Sequence, residues 1–338
     1  MSIPALQALR EAFPDARISI LARPWVSGLY GRESFCDELI PYEAATGWKD
    51  LRAKLEIASE LRARKFDCAV LLQNAFESAA LVRLARVPIR IGYARDGRGW
   101  LLTHPIPVPT KGETPPHQRF YYLELLKRAR LIESYSEELP IRLGGSLKAA
   151  EAGRLRLGTA GITGAVIGVS PGAAYGGAKR WLPERFAEAA VETASRIGAT
   201  VAVFGSQEEA EICAIVADTV RITGTECVNF AGTTDLATFI ELAAACDVYL
   251  TNDSGPMHIA SALGVPTIAV FGATDDIATG PTGDLSLVVR EQVECSPCLL
   301  RECPIDHRCM TRVSSARIAE AALHVLNNRP VQIGKDKG

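Results

Sequence analysis

Hydrophobic and polar positions along the first half of the chain alternate between strand-like and helix-like patterns. Short apolar runs predict strands at residues 17–21, 67–72 and 89–92, and amphipathic stretches predict helices at 4–12, 48–64, 78–85 and from His117 onward. Residues 96–116 are rich in Pro and Gly and predict a long functional loop without regular structure. The alternation predicts βαβ units around a parallel sheet.

The second half repeats this pattern more clearly. Strands are predicted at 165–169, 200–204, 247–250 and 266–271, and helices at 183–197, 208–217, 236–245, 256–263 and 314–326. This order predicts a doubly wound α/β domain, whose ligands bind outside the carboxyl ends of the strands. Residues 140–161 predict the interdomain linker, which gives domains at 1–150 and 151–330 and a mobile tail at 331–338.

Composition is consistent with two ordinary globular cores. The chain has 338 residues, of which 48% are hydrophobic and 22% charged. No apolar run is long enough to span a membrane and the amino terminus lacks a signal pattern, so a soluble cytoplasmic protein with reduced cysteines is expected. Residues 1–150 hold 22 Lys+Arg against 17 Asp+Glu (+5), and the remainder holds 15 against 22 (−7). The basic half either faces an anionic acceptor or membrane surface or is ordinary solvated surface.

Three loops at predicted strand ends, 170–179, 205–209 and 251–258, carry the candidate chemistry. In the third, Pro256 suits the first turn of a helix, and the backbone N–H groups of Ser254, Gly255 and Met257 would point at an anion such as a diphosphate. The alternative is that Asp253 or Ser254 is only a helix cap. His258, in the same turn, could donate to phosphate or simply pack.

The other candidate residues have two interpretations each. Lys179, in SPGAAYGGAKRW, could reach a phosphate or lie in a solvated turn; the loop lacks the G-K-[ST] ending of a P-loop, which argues against nucleoside triphosphate hydrolysis. Glu208 could be a first-turn acid or accept from a ribose hydroxyl. His117 and Arg119 could meet an acceptor sugar or belong to a packed helix.

Four cysteines near the end, Cys295, Cys298, Cys303 and Cys309, lie beside His307 and offer the ligand types of a tetrahedral zinc site. Only one C-x2-C knuckle is present, however, where a zinc ribbon has two. Reduced thiols in a covering loop are the preferred interpretation, and a structural zinc site is the alternative.

Three segments resemble a known family. TNDSGPMHIASALGVPTIAVFGATD is similar to the signature of ADP-heptose:lipopolysaccharide heptosyltransferases, glycosyltransferase family 9. SPGAAYGGAKRW and CSPCLLRECPIDHRCM resemble blocks of the heptosyltransferase II branch, and the likeness covers nearly the whole chain. The resemblance implies a GT-B fold of two facing Rossmann-like domains, with the donor held by the second. It also implies metal-independent, inverting transfer of L-glycero-D-manno-heptose from ADP-heptose to the inner-core heptose of lipopolysaccharide, without a cofactor.

The resemblance also implies roles for individual residues. Lys179 would stabilise the departing ADP, since without a metal the leaving-group charge must be met by cations and N–H donors. His117 and Arg119 are weaker candidates for binding the acceptor, a membrane-anchored anionic oligosaccharide at the inner face of the inner membrane; no nucleic acid partner is expected. Donor binding is assigned to Ser170, Gly172, Glu208, Asp253, Ser254, Gly255, Met257 and His258.

One departure from the family concerns the amino terminus. Family members begin with an apolar strand and a Gly-Asp loop ahead of the helix that here is MSIPALQALREAFPDA, so the expected general-base Asp has no counterpart in this sequence. Asp96, Glu113 and Glu43 lie on loops of the first half, and no argument selects one as a base. Two strands of the first sheet should also lack a partner.

Two explanations account for this departure: a start codon assigned too far downstream, which we prefer, or a true truncation. The alternatives to a transferase are a catalytically silent nucleotide-sugar-binding protein and a GT-B sugar-nucleotide epimerase.

Overall fold

The computed structural model describes residues 1–43, 48–138 and 140–328. The chain divides into two compact units, Met1–Leu139 and Pro140–Gly338. The predicted tail, 331–338, lies outside the described residues. No helix within the described ranges is long and apolar enough to cross a bilayer.

The first unit alternates helices and strands, as the hydrophobic pattern predicts. Its strands form two sheets, one of β1 with β2 and one in the order β3-β4-β5, and every pairing is parallel. The elements are α1 (Ile3–Ala12), β1 (Ser19–Ala22), α2 (Ser27–Tyr30), β2 (Glu38–Pro41), α3 (Trp48–Ala63), β3 (Cys68–Leu71), α4 (Phe76–Leu84), β4 (Ile89–Tyr93), β5 (His104–Ile106) and α5 (Arg119–Arg128).

The two sheets of the first unit share their flanking helices. Leu21 of β1 and Ala69 of β3 pack on one cluster formed by α3 and α4, while Val70, on the other face of β3, packs on α1 and α5. Within the described part of this unit, β1 and β3 are not hydrogen-bonded to each other. In the described residues β1 pairs with β2 and β3 pairs with β4, so each of the two strands has one hydrogen-bonded neighbour.

The second unit is a doubly wound domain. Its six strands are all parallel, in the order β11-β10-β9-β6-β7-β8. The elements are α6 (Ser146–Thr159), β6 (Ala165–Ser170), α7 (Pro183–Ile197), β7 (Ala199–Val203), α8 (Ala210–Ile222), β8 (Cys227–Asn229), α9 (Leu236–Ala244), β9 (Val248–Asn252), α10 (Gly255–Ala262), β10 (Thr267–Phe271), α11 (Asp276–Thr279), β11 (Ser286–Arg290), α12 (Arg308–Thr311) and α13 (Ser315–Asn327).

The burial of the central strands explains why the hydrophobic pattern predicted this sheet clearly. Every residue of β7, β9 and β10 is buried, because helices cover both faces of a doubly wound sheet and select continuous apolar runs. The strand order reverses between β6 and β9, whose ends Ser170 and Thr251 are paired. This reversal is the point at which ligands bind in such sheets.

The structure corrects the predicted domain boundary. The units divide after residue 139 rather than 150, because α6 packs along α9 of the second unit. A Cβ atom on Gly153 would lie 1.9 Å from the carbonyl oxygen of Glu241, and Arg156 forms an ion pair with the Glu241 carboxylate at 2.6 Å. The small helix in the predicted linker is thus part of the second core.

Four short strands were missed, namely β2, β5, β8 and β11. Each lies at the edge of its sheet and is at most five residues long, so none shows the continuous apolar run of a central strand. β5 and a 3₁₀ turn at Gly99–Leu101 fall within 96–116, which was predicted to lack regular structure. Two helix starts also shift: α8 begins at Ala210 after a 3₁₀ turn at Gln207–Glu209, and α5 begins at Arg119.

Candidate functional site

The candidate site lies at the carboxyl ends of β6 and β9, where the strand order reverses. The loop after β6, residues 171–182, carries Lys179, and the turn after β9 carries Asp253 and leads into α10. Lys179 Nζ lies 2.6 Å from Asp253 Oδ2. The structure thus brings together two of the predicted site residues that are 74 positions apart in sequence.

The ion pair is almost completely buried. The side chains of Lys179 and Asp253 are 14% and 5% exposed, and the hydroxyl of Thr274 donates to the same Asp253 oxygen at 2.6 Å. Lys179 Nζ also lies 4.9 Å from the centre of the Tyr175 ring. Lys179 is therefore a positioned cation rather than a solvated turn residue, and its ammonium has two further N–H donors for an anion.

This geometry changes the interpretation of Asp253. A carboxylate repels a diphosphate, so its side chain suits binding to Lys179 and Thr274 rather than contact with the donor. Thr274 was not predicted as a site residue. It lies beyond the end of β10, in the same signature segment as Asp253, but the hydrophobic pattern does not show that the two side chains meet.

Asn252, the last residue of β9, fixes both ends of the Lys179 loop. Its side-chain amide donates to the Pro171 carbonyl oxygen at 2.7 Å, and its Oδ1 accepts from the backbone N–H of Trp181 at 2.9 Å. Asn252 is fully buried. The sequence analysis identified the loop but did not assign this role to Asn252. A polar amide at the end of a wholly buried strand must find hydrogen-bond partners, so the sequence did contain evidence for such a role.

Residues 299–307 hold the middle of the Lys179 loop. The backbone N–H of Gly177 donates to Glu302 Oε1 at 2.9 Å, and that of Ala178 donates to the Arg301 carbonyl oxygen at 2.9 Å. His307 Nε2 lies 3.0 Å from the Ala178 carbonyl oxygen. Gly176 has a φ of +153°, and a Cβ there would lie 2.3 Å from the Arg301 carbonyl oxygen. The segment with the terminal cysteines therefore positions Lys179 through the backbone.

The amino terminus of α10 adjoins this pair. The helix begins at Gly255, which is exposed, with Pro256 in its first turn, as predicted. Ser254 occupies the N-cap position, but its Oγ lies 3.2 Å from Thr251 Oγ1 and makes no capping hydrogen bond, which argues against a side-chain cap at Ser254. Met257 is fully buried against Phe271, so any contact it makes with a donor must come from its backbone. His258 is half-buried.

The other predicted donor residues divide into buried and exposed groups. The Ser170 hydroxyl is buried and lies 2.7 Å from the Tyr249 hydroxyl, so its side chain is committed to the core. Gly172 approaches Glu209 so closely that a Cβ would lie 2.0 Å from its Oε1. Glu208 is exposed, and hydrogen bonds from its own backbone and from Ser206 lower its pKa. Glu208 therefore remains a candidate acceptor for a ribose hydroxyl.

The predicted acceptor residues lie at the start of α5 in the first unit. His117 Nδ1 accepts from the backbone N–H of Arg119 at 3.2 Å. The Arg119 guanidinium packs 4.6 Å from the centre of the Phe120 ring and donates to the Glu137 carbonyl oxygen at 3.1 Å. Burial lowers the pKa of Arg119. No described contact tests acceptor binding by either residue.

Glu113, one of the loop carboxylates considered as a general base, is poorly suited to that role. Arg128 donates to it at 2.8 Å and the backbone N–H of Thr110 at 2.9 Å. These bonds lower the pKa of Glu113 to about 2, which makes its carboxylate a weak proton acceptor.

All nine cysteines are free thiols. Burial and the neighbouring Cys295, Cys303 and Cys298 raise the pKa of Cys309. Within residues 1–43, 48–138 and 140–328, no three His, Cys, Asp or Glu side chains are arranged to hold a metal ion.

Comparisons with known proteins extend the resemblance to the whole chain. The sequence model described as glycosyltransferase family 9 (heptosyltransferase) matches residues 54–308. The chain is 27% identical over 331 residues to lipooligosaccharide heptosyltransferase 2 of Campylobacter jejuni, with 97% of this chain and 94% of that protein covered. It is 30% identical over 298 residues to lipooligosaccharide heptosyltransferase 2 of Haemophilus influenzae, with 86% and 84% covered.

Among solved structures, the ADP-heptose LPS heptosyltransferase II of E. coli matches with a TM-score of 0.79 at 26% identity. The match covers 96% of this chain and 94% of that one. The predicted GT-B fold class is thereby confirmed.

Proposed function

Because this chain belongs to glycosyltransferase family 9, the heptosyltransferases, we propose that it transfers L-glycero-D-manno-heptose from ADP-heptose to the inner-core heptose of lipopolysaccharide. The reaction proceeds with inversion at the anomeric carbon and without a metal. The observation that carries this proposal is the buried pair of Lys179 and Asp253 beside the amino terminus of α10. The donor binds there, in the second unit.

Departure of ADP is the step that these residues assist. The acceptor hydroxyl attacks the anomeric carbon as the bond to the diphosphate oxygen breaks, and the hydroxyl proton passes to a base. Charge develops on the departing ADP, where the Lys179 ammonium and the N–H groups of Ser254 and Gly255 would stabilise it. A positioned cation and preorganised dipoles can serve where other transferases use a metal ion.

The arrangement favours a diphosphate over a neutral ligand. A lysine held by a buried aspartate loses little conformational entropy when an anion binds, because its side chain is already ordered. Glu208, exposed and ionised, lies beyond β7 and would accept from a ribose hydroxyl. The acceptor is membrane-anchored, so the protein would act in the cytoplasm at the inner face of the inner membrane.

The test measures ADP release from ADP-heptose with and without a core oligosaccharide ending in heptose, together with the mass of the product. It uses this chain and a version extended at its amino end by an apolar strand and a Gly-Asp loop, so that the effect of such a loop on turnover is measured separately from donor binding. We expect ADP release only with acceptor, and a product heavier by one heptose.

Release without acceptor would contradict transfer and favour an epimerase or a hydrolase. Binding of ADP-heptose without turnover in either version would contradict an enzymatic role and favour a silent binding protein.

A further inference from the structure

A cavity of about 520 Å³ in the first unit lies outside the site described above. It lies at the end of α4 and the beginning of β4, so it faces the amino ends of the β3-β4-β5 strands, whereas ligands of such sheets bind at the carboxyl ends. We call it the arginine pocket; it is lined by Arg62, Arg83, Leu84, Arg86, Val87, Pro88 and Arg90.

The charge of the arginine pocket is not compensated by the protein. Four arginines line it and no acidic residue does. Among the described contacts, none of the four pairs with a carboxylate, whereas Arg52 on α3 and Arg64 just after it pair with Glu56 and Glu60. The sequence explains this excess of positive charge, since three of the four arginines lie within residues 78–95, a stretch that contains no acidic residue.

The main chain holds the side chain of one of these arginines. The Arg90 guanidinium donates to the carbonyl oxygens of Leu101, at 2.8 Å, and of Val87. A guanidinium fixed in this way binds a phosphate oxygen with little ordering cost, and the mutual repulsion of the four arginines is relieved by a bound anion.

Large apolar side chains are exposed beside the arginines. Leu84 lines the pocket and is 55% exposed. Trp100 is 66% exposed, and its ring lies 5.7 Å from the Arg83 guanidinium and 6.3 Å from the ring of Phe76. Exposed aromatic and aliphatic groups next to arginines are typical of surfaces that sit at the headgroup level of a bilayer.

We propose that the arginine pocket binds the phosphate headgroups of anionic phospholipids, with Leu84 and Trp100 entering the interface. Charge complementarity selects an anionic surface, and the exposed apolar groups select a lipid bilayer over a soluble polyanion. The proposal rests on the proposed function in one respect: a membrane-anchored acceptor requires the enzyme to work at a bilayer. Its test needs neither donor nor turnover, so it can fail independently of the transferase assignment.

The experiment is sedimentation with vesicles of phosphatidylcholine alone and of equimolar phosphatidylcholine and phosphatidylglycerol. We expect binding only to the second, and the double variant Arg62→Gln/Arg86→Gln should weaken it by about thirtyfold, given the usual contribution of a basic residue near an anionic surface. The control Arg17→Gln/Arg52→Gln removes the same charge from exposed arginines that are paired with carboxylates and should change binding much less.

A second variant separates a bilayer from soluble anions. Leu84→Gln keeps every charge and should still weaken vesicle binding, because the leucine side chain no longer enters the bilayer interface. Equal losses in the pocket and control variants would overturn the proposal, as would unchanged binding in Leu84→Gln. Thermal unfolding and ADP binding, measured on each variant, confirm that the second unit is intact.

Discussion

At the residue scale, the candidate site depends on the buried contact between Lys179 and Asp253. Each follows a strand that the hydrophobic pattern predicts, so a position near the carboxyl ends of the strands could be predicted for both. Their pairing depends on side-chain directions across 74 residues, which no local pattern encodes. The same limit applies to Thr274 and Glu302, which lie in recognisable segments but whose contacts with the site depend on the fold.

Glu302 offers a test of how the Lys179 loop is held. Its carboxylate accepts from the Gly177 N–H, two residues from Lys179, so Glu302→Ala should let the loop move. We expect kcat to fall about tenfold, because small displacements of a catalytic group slow the reaction, while the KM for ADP-heptose changes less.

Glu302→Gln, which keeps an acceptor oxygen, should restore most of the rate. Glu151→Ala, at an exposed position on α6, is the control and should behave as wild type. If Glu302→Ala has wild-type kcat, or if Glu302→Gln is as slow as Glu302→Ala, the carboxylate does not position Lys179 in this way.

At the scale of elements, buried central strands and capped helices could be predicted, and edge strands could not. α7 shows why: Pro183 opens it, and Gly198, with a φ of +67°, closes it. α6 was recognised as a helix but assigned to a linker, because its sequence carries no sign of the partner helix α9. The close approach at Gly153 is visible only in three dimensions.

Two glycines on α6 provide a matched pair that tests this packing. Gly153→Ala would place a Cβ 1.9 Å from the Glu241 carbonyl oxygen and should destabilise the second unit by about 1–3 kcal/mol. Gly158→Ala meets no atom within 4 Å and should stabilise it by about 0.5–1 kcal/mol, because alanine favours the helix. Urea unfolding measures both. Equal effects from the two substitutions would show that α6 does not pack on α9 as described.

At the scale of the whole molecule, the two units differ in how far the sequence could describe them. The second unit has a complete six-stranded sheet, and its fold and candidate site were predicted together. In the first unit the alternation of strands and helices was predicted, but the arginine pocket was not. The arginine pocket is formed by residues on or next to α3, α4 and β4, which are separate in sequence. Only the excess of basic charge over residues 1–150 indicated an anion-binding surface in this unit.

The first unit should lose stability in acid in a way that depends on Glu113. Arg128 and Thr110 lower the pKa of Glu113 from its usual 4.5 to about 2, so its interactions stabilise the folded state fully above pH 4.5. That contribution disappears as the pH falls through about 2.

The free energy of unfolding of Glu113→Gln should therefore be lower than that of wild type at neutral pH, and the two should converge as the pH approaches 2. Denaturant unfolding across this range makes the comparison. A difference between the two proteins that does not change with pH would contradict the assigned ion pair.

The central claim is that Lys179, held by the buried Asp253 carboxylate at the ends of β6 and β9, binds the diphosphate of the donor. Calorimetric titration with ADP tests it without requiring turnover. Lys179→Met alone would leave Asp253 charged and buried, so the double variant Lys179→Met/Asp253→Asn is the informative protein. Lys148→Met, at an exposed position on α6, is the control. The double variant should bind ADP about 10- to 100-fold more weakly, the loss expected for a hydrogen bond to a charged group, while the control binds as wild type. An ADP dissociation constant in the double variant equal to that of wild type would contradict the account.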